Sequence, residues 1–338
     1  MQRLDEGAVA ARTGALSQLY LSAGDALRIA LSAAGDFAGA TAPNPPVGCV
    51  VLDERGAFLA CGAHARAGAP HAEAEAIAAC IAKGVQDRIH TFVVTLEPCN
   101  HSGKTPPCVE AILATPARAV WIGAGDPNPH VAGGGAARLA AAGLDVRLIE
   151  SLAAPDCAEL ARAARRLTAP FARWSQTGRP WVTVKQALTA GGSMIPPAGR
   201  STFTSESSLD LAHRLRRRAD AIITGSGSIL ADAPAFTVRR APDHAGKRRI
   251  LAILDRRRRV PASYQLDAEA RGFDVWVRDD LAALPSELGA AGAMEALVEA
   301  GPALTRAVLG RRLWDEHVVI RQRVGGADEI DVQTRKPV

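Results

Sequence analysis

Two thiols nine positions apart, Cys99 and Cys108, stand inside the turn-rich stretch TLEPCNHSGKTPPC, and a His-Ala-Glu triplet precedes them at 71–73. Together they offer one imidazole, two potential thiolates and a carboxylate. That is the donor set of a catalytic zinc that keeps its fourth position open for water. The donors lie far apart in sequence, so the fold must bring a helix start, a strand end and a second helix start to one point. His71 and Glu73 fall in the first turn of one helix, about 200° apart around an ideal axis. The imidazole can then face a metal while the carboxylate reaches the substrate side. Cys99 follows the apolar run TFVVTL, read as a strand, and Cys108 opens the next helix, whose N-terminus favours a thiolate. If instead His71 only capped a helix, Cys99 and Cys108 would be ordinary buried thiols, as Cys49, Cys61, Cys80 and Cys157 are expected to be. That alternative suits each residue alone but not the set. In zinc-dependent nucleobase deaminases the ion acidifies a water, and a non-ligand glutamate two residues after the histidine carries protons to the ring and the leaving amine.

The rest of the composition limits what kind of molecule holds this set. A chain of 338 residues, 48% hydrophobic and 22% charged, is long enough for two ordinary domains, and no apolar run is long enough to cross a bilayer. The start, MQRLDEGAVAARTG, has neither the apolar segment of a secretory signal nor an acid-poor transit pattern, so the cytoplasm is expected. Six cysteines over this length are too few for a disulfide scaffold and would stay reduced there. Residues 1–150 carry 11 Lys/Arg against 14 Asp/Glu, and the remainder 29 against 21. The acidic front half argues against a nucleic-acid footprint at the zinc set, while the basic back half suits a phosphorylated ligand or RNA.

Periodicity places the motifs. Ala26, Leu27, Ile29, Ala30, Leu31 and Ala34 line one side of a helix from Ser22 to Gly35. CVVL and AFLACG around DERG predict a hairpin. A helix over 71–82, a strand over 91–96, a helix from Pro107, and a further strand, helix and strand to residue 149 follow. Another helix is expected over 155–167. TAPFARWSQTGRP then breaks the period and reads as a linker over 168–179. A second alternation follows: strands WVTVKQAL, DAIITG, RILAILD, FDVWV, EALVEAG and HVVI, with helices at SSLDLAHRLRRR and PALTRAVLG. Strands alternating with helices imply largely parallel sheets.

PNPPVGCVV, HAEAEA, TLEPCNHSGKTPPC and DPNPHVAGGG, in this order, resemble the deaminase half of the bifunctional riboflavin-biosynthesis deaminase/reductases. Eight residues separate the thiols here, where the common deaminase signature has two. The resemblance implies that His71, Cys99 and Cys108 bind Zn2+ and that Glu73 is the catalytic proton carrier. It also implies that Asn44 hydrogen-bonds the pyrimidine and that His101 and Lys104, in the longer loop, face the ring or its ribose phosphate.

The back half is similar to the family's reductase, a dihydrofolate-reductase-like domain using NADPH, through Lys185, the run from Ser205 to Arg240, LAILD and LVEAGPALTRAVL. On that resemblance Ser228 and Asp232 contact the cofactor, and Gly301 opens a helix whose N–H groups suit its pyrophosphate. Arg216, Arg239 and Glu299 would hold the substrate, the arginines as charge partners for its phosphate. Three departures are visible. TAGG at 189–192 lacks the aspartate expected after the strand lysine, STFTS replaces a tryptophan-containing segment, and Asp255-Arg256 replaces an aspartate-serine pair. After HVVI no closing strands are expected, which would leave a sheet edge bare for a second copy to cover.

The sequence therefore predicts an α/β protein. It has an extension (1–19), a cytidine-deaminase-like three-layer domain (20–167), a linker (168–179) and a dihydrofolate-reductase-like domain (180–338). The expected activity is deamination of 2,5-diamino-6-ribosylamino-4(3H)-pyrimidinone 5′-phosphate, then NADPH-dependent reduction of the ribosyl group to ribityl. The partners expected are this small phosphorylated pyrimidine and further copies of the chain, with no nucleic acid and no membrane. Two alternatives stay open at this stage: an active deaminase with a degenerate reductase domain, and a zinc deaminase acting on RNA or nucleosides.

Overall fold

Strands that are buried on both faces read as unbroken apolar runs, and the first sheet shows this directly. The computed structural model describes residues 19–100, 106–128, 134–152, 156–199, 202–323 and 325–335. The chain divides into two units, Met1–Gln176 and Thr177–Val338. In the first unit, helix α1 (Ala23–Asp36) starts at Ser22, whose hydroxyl accepts from Asp25 N–H in a capping box. Strands β1 (Gly48–Leu52) and β2 (Phe58–Ala63) form the expected hairpin, and Asp53 Oδ1 closes its turn by accepting from the N–H groups of Arg55 and Ala57. Then come α2 (Ala72–Ala82), β3 (Thr91–Val94), α3 (Cys108–Leu113), β4 (Ala119–Ile122), α4 (Gly134–Ala141), β5 (Asp145–Leu148) and α5 (Cys157–Thr177).

Among the described residues the first sheet has the order β2-β1-β3-β4-β5, with β1 antiparallel to both neighbours and β3, β4 and β5 parallel. It is thus mixed rather than largely parallel. Alternation along the strands makes three layers. Cys49, Val51, Phe92, Val94, Val120 and Ile122 pack with α2, α3 and α4. Val50, Leu52, Val93 and Trp121 pack with α1 and the start of α5.

The expected linker is helical to Thr177. Cys157, Leu160, Ala161, Ala164 and Thr168 are buried at helical spacing, and the Thr168 hydroxyl donates to the carbonyl of Ala164. The period therefore continues past residue 167, hidden by small and polar residues that still face the core, with Pro170 inside the helix.

The second unit holds β6 (Trp181–Leu188), α6 (Glu206–Arg218), β7 (Ala221–Gly225), α7 (Ser226–Asp232), β8 (Arg249–Leu254), α8 (Ala262–Ala270), β9 (Phe273–Arg278), α9 (Leu284–Ala290), β10 (Glu295–Val298), α10 (Pro302–Gly310), β11 (Glu316–Arg321) and β12 (Glu329–Thr334). Its sheet order is β12-β11-β6-β10-β7-β8-β9, parallel except for β12. Val184, Ile223, Ala252 and Val298 pack one face with α9 and α10, and Ile222, Leu251 and Ile253 the other with α7 and α8.

β12 overturns the expectation of a chain without a closing strand. EIDVQT pairs along the whole of β11 and forms the edge itself, with all six residues exposed. Only Ile330 and Val332 are apolar in this short strand, alternating with Glu329, Asp331 and Gln333, a pattern too brief to stand out in the sequence. No helix among the described residues is long and apolar enough to cross a membrane.

One close approach sets the first site. A Cβ on Gly62 would lie 2.3 Å from Ala72 O and 2.5 Å from Ala76 N, so β2 touches the first turns of α2 only because residue 62 has no side chain. Gly62→Ala is expected to destabilise the first unit by about 1–3 kcal/mol, read as a lower urea midpoint. An unchanged midpoint would contradict this packing.

Candidate metal centre and reductase site

His71 is the N-cap of α2, yet its side chain makes no capping hydrogen bond. Its Nδ1 lies 3.2 Å from Cys108 Sγ and 3.5 Å from Cys99 Sγ, and all three donor atoms are within 4.8 Å of one another. A tetrahedral zinc with bonds of about 2.0–2.3 Å holds its ligand atoms roughly 3.3–3.8 Å apart. The separations suit such an ion, and one imidazole with two thiols matches its chemistry. Cys99 stands in the loop beyond β3 and Cys108 is the first residue of α3, whose N–H donates to Cys99 Sγ at 3.4 Å.

The bond from Cys108 holds the Cys99 thiol down at about 4 against the cost of burial, with His71 helping. Cys108 is pushed up by that same bond, by burial and by the Glu73 carboxylate. The two thiols share one hydrogen bond, which favours negative charge on Cys99 while Cys108 holds the proton. His71 is raised chiefly by its bond to Cys99. Glu73, 3% exposed, is raised by burial. The remote thiols behave as core residues, burial lifting Cys61 to about 12 and Cys80 to about 11.

Asn44 is brought to this site, linked to a residue the sequence reasoning missed. His64 Nδ1 lies 3.0 Å from the carbonyl of Pro70, which can only accept, so Nδ1 carries the proton and Nε2 accepts from Asn44 Nδ2 at 3.3 Å. Burial pushes His64 down and keeps it neutral, and its ring meets that of His71 edge-on at 5.2 Å. Nothing in the local run AHARAG marks it. Glu97 was missed too. Its carboxylate accepts from Asp126 N–H and Ala136 N–H, tying the loop that carries Cys99 to the loop after β4 and the first turn of α4. The contact is tight: a Cβ on Gly135 would lie 1.9 Å from Pro98 O. An acid two positions before a candidate ligand was the available signal. His101 and Lys104 lie outside the described residues.

In the second unit, Glu299 is buried between two cations. Lys185 Nζ lies 2.9 Å from its Oε1, and Arg216 donates to both oxygens, Nε at 2.5 Å and Nη2 at 3.2 Å. Arg216 Nη1 reaches Thr237 O, so this guanidinium, expected on a phosphate, is already engaged. Arg239 is exposed on the loop beyond. Ser228 and Gly301 meet, the Gly301 N–H donating to Ser228 Oγ at 2.9 Å, so that N–H is also taken. Asp232 is exposed at the end of α7. Thr224 Oγ1, at the end of β7 beside these residues in sequence, is buried without a hydrogen-bond partner among the described residues. An orphan hydroxyl followed by Gly225 and Gly227 at parallel strand ends fits a dinucleotide cofactor. The TAGG departure is a turn, with Gly192 at φ +81 and its N–H donating to Thr189 O. Arg256 is exposed, whereas Asp255 is buried and accepts from Val260 N–H.

Burial pushes the Glu299 carboxyl up, but Lys185 and Arg216 outweigh it and hold it at about 2. A depressed carboxyl stabilises the fold above its unfolded value near 4.5 and loses that contribution as pH falls toward 2, about 3 kcal/mol in all. Urea unfolding of Glu299→Gln is expected to show lower stability at pH 7 and a shallower loss between pH 4.5 and 2 than the parent chain. Equal slopes would refute the pairing.

The model of the cytidine and deoxycytidylate deaminase zinc-binding region matches residues 22–124, and that of the RibD C-terminal domain matches 180–322. The riboflavin biosynthesis protein RibD of Mycobacterium tuberculosis is 36% identical over 296 residues, covering 84% of this chain and 80% of that protein. RibD of Escherichia coli K12 is 33% identical over 322 residues, covering 85% and 84%. Among solved structures, RibD of Acinetobacter baumannii is 29% identical, with a TM-score of 0.72 over 90% of this chain and 88% of that one. The diaminohydroxyphosphoribosylaminopyrimidine deaminase/5-amino-6-(5-phosphoribosylamino)uracil reductase of Thermotoga maritima is 26% identical, with a TM-score of 0.76 over the same shares. With relatives 36% and 33% identical over 84% and 85% of its length and family models matched in both units, the chain belongs to the RibD family of riboflavin biosynthesis proteins.

Proposed function

We propose that, in the two reactions of this bifunctional riboflavin-biosynthesis enzyme, Glu73 moves the protons of deamination beside a zinc held by His71, Cys99 and Cys108. Lys185, Arg216, Arg239 and Glu299 then hold the substrate of the reduction. The observation that carries the first assignment is the convergence of three soft donors next to a glutamate that is 3% exposed. When bound, zinc supplies a water acidic enough to act as a nucleophile near neutral pH.

Glu73 takes one proton from the attacking water and passes it to the ring nitrogen, then takes the second from the hydroxyl added to the ring and passes it to the 2-amino group, so that the carbonyl forms as the C–N bond breaks and ammonia leaves. Burial suits a carboxyl that must alternately hold and release a proton. Asn44 gives its Nδ2–H to His64, which leaves Oδ1 as the acceptor for an amine on the pyrimidine. His101 and Lys104 would read the remainder of the substrate from the loop between the two thiol ligands.

In the reductase unit NADPH supplies the hydride that turns the ribosyl group into ribityl. Ser228, Asp232 and Gly301 would line the cofactor, with the Ser228 to Gly301 bond shaping the strand ends. Arg239, exposed, is the phosphate partner, and Arg216 with Lys185 forms a charged floor around Glu299. Exposed Ile330 and Val332 on the edge strand β12 support a homo-oligomer, and six free cysteines accord with a reducing cytoplasm.

Glu73→Gln is expected to keep its zinc content while ammonia release falls by about 10²–10⁴-fold. Near-parental release would overturn the role of Glu73. Incubating the phosphorylated pyrimidine with and without NADPH, with products identified by mass, tests the pair of reactions. Deaminated product alone in both arms would leave the second unit without its proposed activity.

A further inference from the structure

We infer that His213 is a positioning residue for the reduction: its Nδ1 anchors the backbone at Arg239 and so aims that exposed arginine at the substrate phosphate. The inference rests on the reading of Arg239 given above. Arg239 N–H donates to His213 Nδ1 at 2.9 Å, and His213 is 5% exposed on α6.

This bond belongs to a row along one helix face. Glu206 and Asp210 hold the Arg240 side chain, and Arg217 Nε donates to Pro242 O at 2.8 Å. The spacing of 206, 210, 213 and 217 is that of one helical stripe. Arg216, one position earlier, donates to Thr237 O and stands over the ring of Phe236, which is buried and left-handed at φ +55. Segment 236–242 therefore lies along α6. Within the row, His213 takes the backbone N–H of the residue whose side chain faces out.

An N–H donor demands a lone pair, so the ring must be neutral and carry its proton on Nε2. The surroundings favour that state. Burial pushes the imidazole down, and the charges of Arg216, Arg239 and Arg240 act in the same direction, with Glu299 opposing them. Losing the acceptor would release the Arg239 backbone and leave a part-buried N–H without its partner. The consequence is a loop held less well, felt in binding more than in hydride transfer.

The test uses the full-length enzyme and measures reductase KM and kcat for the deaminated pyrimidine phosphate, with ammonia release by the first unit as internal control. His213→Leu keeps the bulk and removes the acceptor. It is expected to raise KM about tenfold with kcat within about twofold, the loss of one part-buried hydrogen bond. His213→Asn places Oδ1 near the position of Nδ1 and is expected to return KM to within about threefold of the parent. Arg239→Ala should raise KM at least as much, and adding His213→Leu to it should raise KM no further. An unchanged KM in His213→Leu beside a raised KM in Arg239→Ala overturns the inference alone. An unchanged KM in Arg239→Ala overturns the reading of Arg239, and the inference falls with it. Asn failing as badly as Leu would show that His213 serves only packing.

Discussion

The deaminase half depends on holding three soft donors within 4.8 Å of one another without a covalent link between them. Each donor comes from a backbone position fixed by something else. His71 is placed by the start of α2, which lies against β2 because Gly62 admits its backbone. Cys99 is placed by a loop that Glu97 ties to the first turn of α4. Cys108 is placed by the first residue of α3, whose N–H points at Cys99 Sγ. Each donor thus has its own support, as expected where a metal's ligands must be held before the metal binds.

The second unit solves a different problem, a carboxylate buried at the end of a parallel strand. Glu299 retains its charge because Lys185 on β6 and Arg216 on α6 both reach it. Removing either cation would leave part of that charge uncompensated in a low-dielectric site. The same helix then serves a second purpose, since Arg216 and its neighbours along the stripe hold segment 236–242. Charge burial and loop placement therefore share one element, and the Glu299 cluster and segment 236–242 are not independent.

The zinc set was legible because few arrangements other than a metal explain a His-x-Glu triplet and two thiols embedded in turn residues. Its supports were less so. His64 sits in AHARAG with no period or partner to mark it, and its link to Asn44 exists only when the two residues, twenty positions apart, are folded together. The link between Cys108 N–H and Cys99 Sγ likewise exists only in the folded chain, since nine positions separate the two thiols. The helix over 168–177 and strand β12 were hidden by polar residues, one turned inward and the other fully solvated.

By itself the sequence determined the two α/β units, the donor set and its order along the chain, and the family to which those motifs belong, because short-range period and residue chemistry are properties of the chain. The tertiary structure alone decided which atoms meet. It committed Arg216 to Glu299, gave the Gly301 N–H to Ser228, aimed the Cys108 N–H at Cys99 Sγ and laid the Arg239 segment along α6. Those outcomes depend on distances of a few ångströms between residues distant in sequence, which no local pattern records.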